Sequence, residues 1–270
     1  MAAPVAVREP PLPAVASPGG RKRSWADRLL GERPPIPGPR PEDTERRTAV
    51  VLWSTAILLV LLIFKAGFDT PGDLYSGWSS VVNDSLGDKL YWAGWGYLVY
   101  GLAPLLIIVF VLRDSPRNFG LRFYLTRKTA LVYGAMIAAM LPILFWASTR
   151  ADFLRTYPLV NVGDDWVRTI LIFEAARTLR FVCLEFFFRG YLLFSLEGKL
   201  GNAAIAAATV PYGIIHFDKP FPEACAAVLA GAVLGFLALR TRTILGGVIV
   251  HSSVGATMDM LALWRKGFLF

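Results

Sequence analysis

The sequence predicts an all-α fold, a polytopic transmembrane helical bundle of seven or eight spans. Three observations predict it. Hydrophobic residues make up 55% of the 270 and charged residues only 18%, where a soluble domain carries about 25% charged residues. Mean hydropathy is +0.49. Crossing a bilayer takes roughly 20 apolar residues in a helix, and the chain offers such stretches several times.

Residues 1–47 are rich in Pro, Gly, Arg and Ala, show no apolar periodicity and read as a disordered tail. No apolar run precedes a small-residue cleavage site there, so a secretory signal peptide is not expected and the first span is retained. The N-terminal transmembrane helices occupy 48–119, with spans at 48–64 and 90–112; Trp92, Trp95, Tyr97 and Tyr100 suit the membrane interface. A core over 120–264 follows, and 265–270 is a C-terminal tail. In the core, 129–147 is a span with Pro142 as its kink, and 166–196 is either one long helix or two. Further spans lie at 201–217, 222–239 and 243–264.

The basic residues give the orientation. Arg46 and Arg47 precede the first span; Arg113, Arg117, Arg122, Arg127 and Lys128 fill the second connection after it; Arg240 and Arg242 follow the sixth span. The intervening connections carry Asp69, Asp73, Asp84 and Asp88, then Asp152, Asp164 and Asp165. This alternation puts the N-terminus in the cytoplasm. Seven spans would leave Arg265 and Lys266 outside, which favours eight spans or a half-span. The net charge of +8 is then topological signal with anionic lipid as partner, and no nucleic acid is needed to explain it. The expected setting is a bacterial inner (cell) membrane. Cys183 and Cys225 lack metal-ligand spacing and read as small buried hydrophobes.

Ionisable groups inside apolar segments are costly and point to function. The run from Glu185 to Arg189 reads EFFFR, and the chain's two histidines, His216 and His251, each sit in an apolar stretch. Four residues apart on a helix, Glu185 and Arg189 meet on one face. That face continues through Phe181, Thr178 or Arg177, and Glu174, whose charges nearer the helix start read as interfacial or structural. Pro211 and Gly213 loosen the helix before His216, and such backbone at membrane depth lines cavities. His251, Gly255 and Asp259 share a face, with Gly255 leaving room beside the imidazole. The bland reading is a structural ion pair and two helix-bridging histidines. The functional one is a carboxylate and imidazoles that hold and deprotonate water, the second imidazole steadying an oxyanion. No GxSxG or HExxH occurs. No cofactor is expected; Glu185, His216 and His251 are the alternative ligand set for zinc.

The segments Leu184 to Gly190, Tyr212 to His216, and His251 onward resemble, in order, the three motifs of the CPBP intramembrane proteases, the CAAX-protease and bacteriocin-processing enzymes also called the Abi family. The family patterns are roughly EExxxR, FxxxH and HxxxN or HxxxD, and the similarity spans about 120–262 from Gly120 onward. The resemblance implies a helical enclosure in which a Glu and a His activate water to cleave a membrane-associated protein or peptide. By match, Glu185 is the second Glu of the first motif, whose first Glu is the family's usual water-activating carboxylate, Arg189 is that motif's Arg, and His216 and His251 are the second- and third-motif histidines. The reading of these residues casts Glu185 as general base, Arg189 as its orienting cation, His216 as partner on the water and His251 as oxyanion stabiliser. Leu184 stands where the first Glu would be, Gly255 where the third motif has Asn or Asp, and Tyr212 for Phe is a mild change. Asp259 is the supporting residue that would compensate for Gly255. The single-Glu spelling resembles a myxosortase-like subgroup acting on C-terminal sorting tails. Two other readings remain open: a proteolytically silent partner of another membrane protease, and a proton-coupled transporter.

Overall fold

The computed structural model describes residues 24–30, 44–65, 85–122, 124–217 and 219–269. The expected acidic positions Asp69, Asp73 and Asp84, and most of the N-terminal tail, lie outside the described residues. Every regular element among the described residues is helical. Five helices are long and apolar enough to cross a membrane: α2 Thr44–Phe64, α3 Leu86–Val111, α4 Arg127–Ala147, α8 Phe221–Thr241 and α9 Leu245–Arg265. The protein is an integral membrane protein.

Local chemistry sets the helix starts. The Ser85 hydroxyl accepts from Asp88 N at 3.2 Å to cap α3, and Thr126 does the same for α4 through Thr129 N at 3.2 Å. α4 runs helical through Pro142 to Ala147. After the short α5 Ala151–Thr156, the chain passes in non-helical form to α6. The fourth expected span is one continuous helical rod, α6. It is α-helical over Trp166–Glu185, π-helical over Phe186–Leu193 and α-helical again over Phe194–Leu200. All eight residues of the π section are buried. Phe187 and Phe188 pack against Tyr100 of α3 with ring centroids 5.3 and 5.7 Å apart. The fifth expected span is shorter than foreseen: α7 Ala203–Ile214 has 12 residues, about 18 Å of helix and less than a bilayer core.

Part of the expected tail is ordered. Residues Trp25–Leu30 form α1, capped by Ser24, whose hydroxyl accepts from Asp27 N at 3.1 Å. Trp25 stacks on Phe236 of α8 at 5.7 Å, Asp27 pairs with Arg240, and Leu30 is buried with Tyr133 and Leu234. Six residues are too few for a periodic signal, so composition alone spoke for disorder.

The basic connections gather at one end of the bundle, as their alternation requires. Ile244 N donates to Gly120 O at 3.1 Å, Arg242 pairs with Glu197 at 2.5 Å, and Arg47 with Asp114 at 2.7 Å. Of the two cysteines, Cys183 is half-buried against Gly101, while Cys225 is exposed on α8 and is not the buried hydrophobe expected.

Candidate active site

α6 presents Glu185 at the point where its α-helix gives way to the π section, and its side chain is 1% exposed. π segments are rare and often sit at functional positions. The i, i+4 contact read from sequence is made: Arg189 Nη1 lies 3.1 Å from Glu185 Oε1. α9 brings His251 to the same oxygen, with Nδ1 at 2.8 Å. The close approach of α6 and α9 depends on glycine. A Cβ at Gly247 would lie 2.1 Å from Glu185 Oε2, and one at Gly246 would lie 2.0 Å from the Tyr133 ring. Gly246 and Gly247 were not singled out from sequence. The available signal was a small-residue pair on the helix that carries His251.

α7 supplies the second histidine. It ends at Ile214, and His216 follows in the turn that Pro211 and Gly213 foreshadowed. His216 Nδ1 lies 2.8 Å from the Tyr212 carbonyl, which can only accept, so this nitrogen carries the proton and Nε2 keeps a lone pair. Tyr212 is central to the cluster. Its hydroxyl is 2.8 Å from His251 Nε2, its ring is 4.6 Å from that of His216, and the Arg189 guanidinium lies over it at 4.1 Å. Glu185, Arg189, Tyr212, His216 and His251 are therefore one cluster. Each ring nitrogen of His251 faces a protein group, Nδ1 the Glu185 carboxylate at 2.8 Å and Nε2 the Tyr212 hydroxyl at 2.8 Å. Arg189 Nη2 is buried without a hydrogen-bond acceptor among the described residues.

Asp259 is not part of this cluster. Its Oδ2 lies 3.1 Å from Arg177 Nη1, and its Oδ1 accepts from Leu159 N at 3.3 Å. Arg177 also pairs with Glu174 on its own helix. The room at Gly255 is taken by α6 rather than left beside the imidazole: a Cβ there would lie 3.2 Å from both Arg177 Cζ and Phe181 Cε2. Phe181 in turn stacks on His251 at 5.3 Å with an interplanar angle of 22°. Leu184, at the place of the family's first Glu, is buried in the main apolar cluster. The zinc alternative does not fit the donor set. No three His, Cys, Asp or Glu side chains group as metal ligands among the described residues, and three of the four imidazole nitrogens already have protein partners.

The Tyr157 hydroxyl, in the apolar cluster with Leu144, Phe153 and Met258, donates to both carboxylate oxygens of Glu223 at 2.8 Å. Burial first, and the Glu223 charge second, push the Tyr157 phenol well above its ordinary value and keep it a donor.

Fold and cluster together define a helical integral membrane protein with a buried carboxylate, imidazole and guanidinium site. Residues 165–257 match the family model described as type II CAAX prenyl endopeptidase Rce1-like, and with that match the segment is one of the CPBP family. Glu185, Arg189, Tyr212, His216 and His251 fall inside the matched segment, and Asp259 falls just beyond it. No curated protein and no solved structure matches the chain.

Proposed function

We propose that the chain is an intramembrane endopeptidase that cleaves a membrane-associated protein or peptide near a terminus with an activated water. One observation carries the proposal. The buried Glu185 carboxylate is held from two sides, by Arg189 at 3.1 Å and His251 at 2.8 Å, inside a segment that matches a family of membrane endopeptidases. A carboxylate fixed in low dielectric with one oxygen left over is suited to take a proton from water. Oε2 is that oxygen: it lies against Gly247 and has no partner among the described residues.

In the reaction, the water oxygen adds to the scissile carbonyl carbon while a water proton passes to Glu185. The lone pair on His216 Nε2 accepts the water's other hydrogen bond and aligns it. Negative charge collects on the carbonyl oxygen and is met by Arg189, the buried cation with an uncommitted Nη2. The C–N bond then breaks, and the proton held by Glu185 goes to the leaving amine. His251 holds the carboxylate in place. C-terminal sorting tails are the substrate class suggested by the single-Glu motif, and the basic end of the bundle faces the cytoplasm. No metal takes part in these steps.

The test compares cells carrying the wild-type protein, Glu185→Gln, or no protein, with membrane and surface protein termini profiled by mass spectrometry. Termini made by wild type and lost with Glu185→Gln, at equal protein levels, are the expected result and identify the substrate. Identical profiles for the two, both differing from the deletion, would replace the protease with a silent binding partner.

A further inference from the structure

Tyr212 is the one residue that touches every charged or titratable member of the cluster except Glu185. Its backbone carbonyl is 2.8 Å from His216 Nδ1, its hydroxyl 2.8 Å from His251 Nε2, and its ring lies 4.1 Å under the Arg189 guanidinium. The side chain has no freedom to do otherwise. The residue is 2% exposed, Phe188 meets its ring edge-on at 5.3 Å, and Gly231 of α8 leaves only the space the ring fills.

The donors and acceptors can be assigned from one end to the other. A carboxylate accepts and never donates, so the His251 nitrogen facing Glu185, Nδ1, carries the proton. In the neutral imidazole Nε2 is then the acceptor, and the hydroxyl 2.8 Å away must be its donor. At His216 the partner is a carbonyl, so Nδ1 is again the protonated nitrogen.

From these contacts the geometry points to Tyr212 as the positioning residue of the site, fixing both histidines in the Nδ1–H tautomer, one through its backbone and the other through its hydroxyl. The inference rests on the protease reading for its catalytic consequence, but not for its structural content. It also accounts for the change at the second motif. The family pattern has Phe at this position, which keeps the ring and the carbonyl but has no hydroxyl. This chain has the phenol there, Leu184 at the first-motif Glu position, and Glu185 in contact with both His251 and Arg189. Without the hydroxyl, nothing among the described contacts holds Nε2 of His251 as an acceptor, and the ring is free to present the wrong nitrogen to Glu185. With it, Tyr212, His251 and Glu185 form one directed chain, a hydrogen bond to Nε2 followed by the ion contact of Nδ1 with the proposed base.

The chain has only two histidines, so selective nitrogen-15 labelling of histidine gives a spectrum with two imidazoles, assigned by a His216→Ala control. Both rings should show a protonated Nδ1 and an acceptor Nε2. Tyr212→Phe, which restores the family residue and the ring volume, should change the His251 signals and leave those of His216 in place, because a backbone carbonyl survives the substitution. On a synthetic peptide spanning the bond found from the terminus profiles, Tyr212→Phe should lower kcat about tenfold, the rate equivalent of one ordinary hydrogen bond, with KM unchanged. A wild-type His251 protonated on Nε2, or a Tyr212→Phe protein with unaltered histidine signals, overturns the inference. So does unaltered kcat where Glu185→Gln is inactive. If Glu185→Gln itself leaves cleavage unchanged, the protease reading fails while the tautomer assignment stands or falls on the spectrum.

Discussion

Gly247→Ala is the smallest change that strikes the proposed base without removing it. The added Cβ would lie 2.1 Å from Glu185 Oε2, 2.6 Å from Cδ and 3.2 Å from Oε1. The carboxylate must therefore retreat by about 1 Å before ordinary contact is restored, and a misplacement of that size costs on the order of 100-fold in rate. It cannot retreat without loss, because Oε1 is held by His251 and Arg189 and the following π section is buried along its whole length. Overpacking of a tight interior costs about 1–3 kcal/mol, which lowers the melting temperature by several degrees and leaves the protein folded. The assay is the rate of appearance of the cleaved termini in cells, normalised to protein level, with melting in detergent as the check on folding. A Gly247→Ala protein that melts as expected and still cleaves like wild type would refute the placement of the base against α9.

Three other outcomes follow from the same contacts. Arg177→Met leaves Asp259 and Glu174 without their buried cation, and breaking such a pair costs about 3–5 kcal/mol. Its melting temperature should fall clearly, and Arg177→Met with Asp259→Leu should recover part of the loss; no drop in the single variant would sink the pairing. Gly134→Ala on α4 meets nothing within 4 Å, so it should be neutral or stabilise by up to about 1 kcal/mol, with cleavage unchanged. Asp114, at the basic end outside the spans, is pushed up by burial, but hydrogen bonds from Arg47, Asn118 and Ser115 outweigh this and hold its carboxyl below the usual range. Its folded value is thus below the unfolded one, so it stabilises the fold above about pH 4 and loses that contribution as pH falls through the folded value. Asp114→Asn should flatten that part of the acid limb of a melting-against-pH profile, and parallel profiles would count against it.

Hydropathy and basic-residue alternation made the helical membrane fold legible, because both are summed over long stretches and tolerate local error. They placed α2, α4, α8 and α9 to within a few residues. They missed what depends on a few atoms: the six residues of α1, whose order comes from Trp25 on Phe236 and Asp27 on Arg240, and the π section after Glu185. The site was legible to the extent that lipid makes lone charges intolerable. The same rule could not say which partner each charge would find. Asp259 and His251 share a face of α9, yet the two diverge, to Arg177 and to Glu185. Periodicity fixes which residues share a face, whereas partner choice depends on where the neighbouring helix sits in depth.

That depth is set largely by glycine. α9 carries Gly246, Gly247 and Gly255, and the side chains that would strike an added Cβ are Tyr133, Glu185 and Arg177 respectively. The last two come from α6, eight residues apart, and each ends in a charge that meets a polar group of α9, Glu185 with His251 and Arg177 with Asp259. Phe181 lies between them and stacks on His251. Two buried ion contacts separated by an aromatic spacer act as a ruler. Sliding α6 along α9 by one residue would strand a carboxylate at one end and a guanidinium at the other, each in apolar surroundings. Gly255 therefore does not mark a lost third motif alone. The space it opens admits Arg177, whose pairing with Asp259 holds the helices at the depth where Glu185 reaches His251.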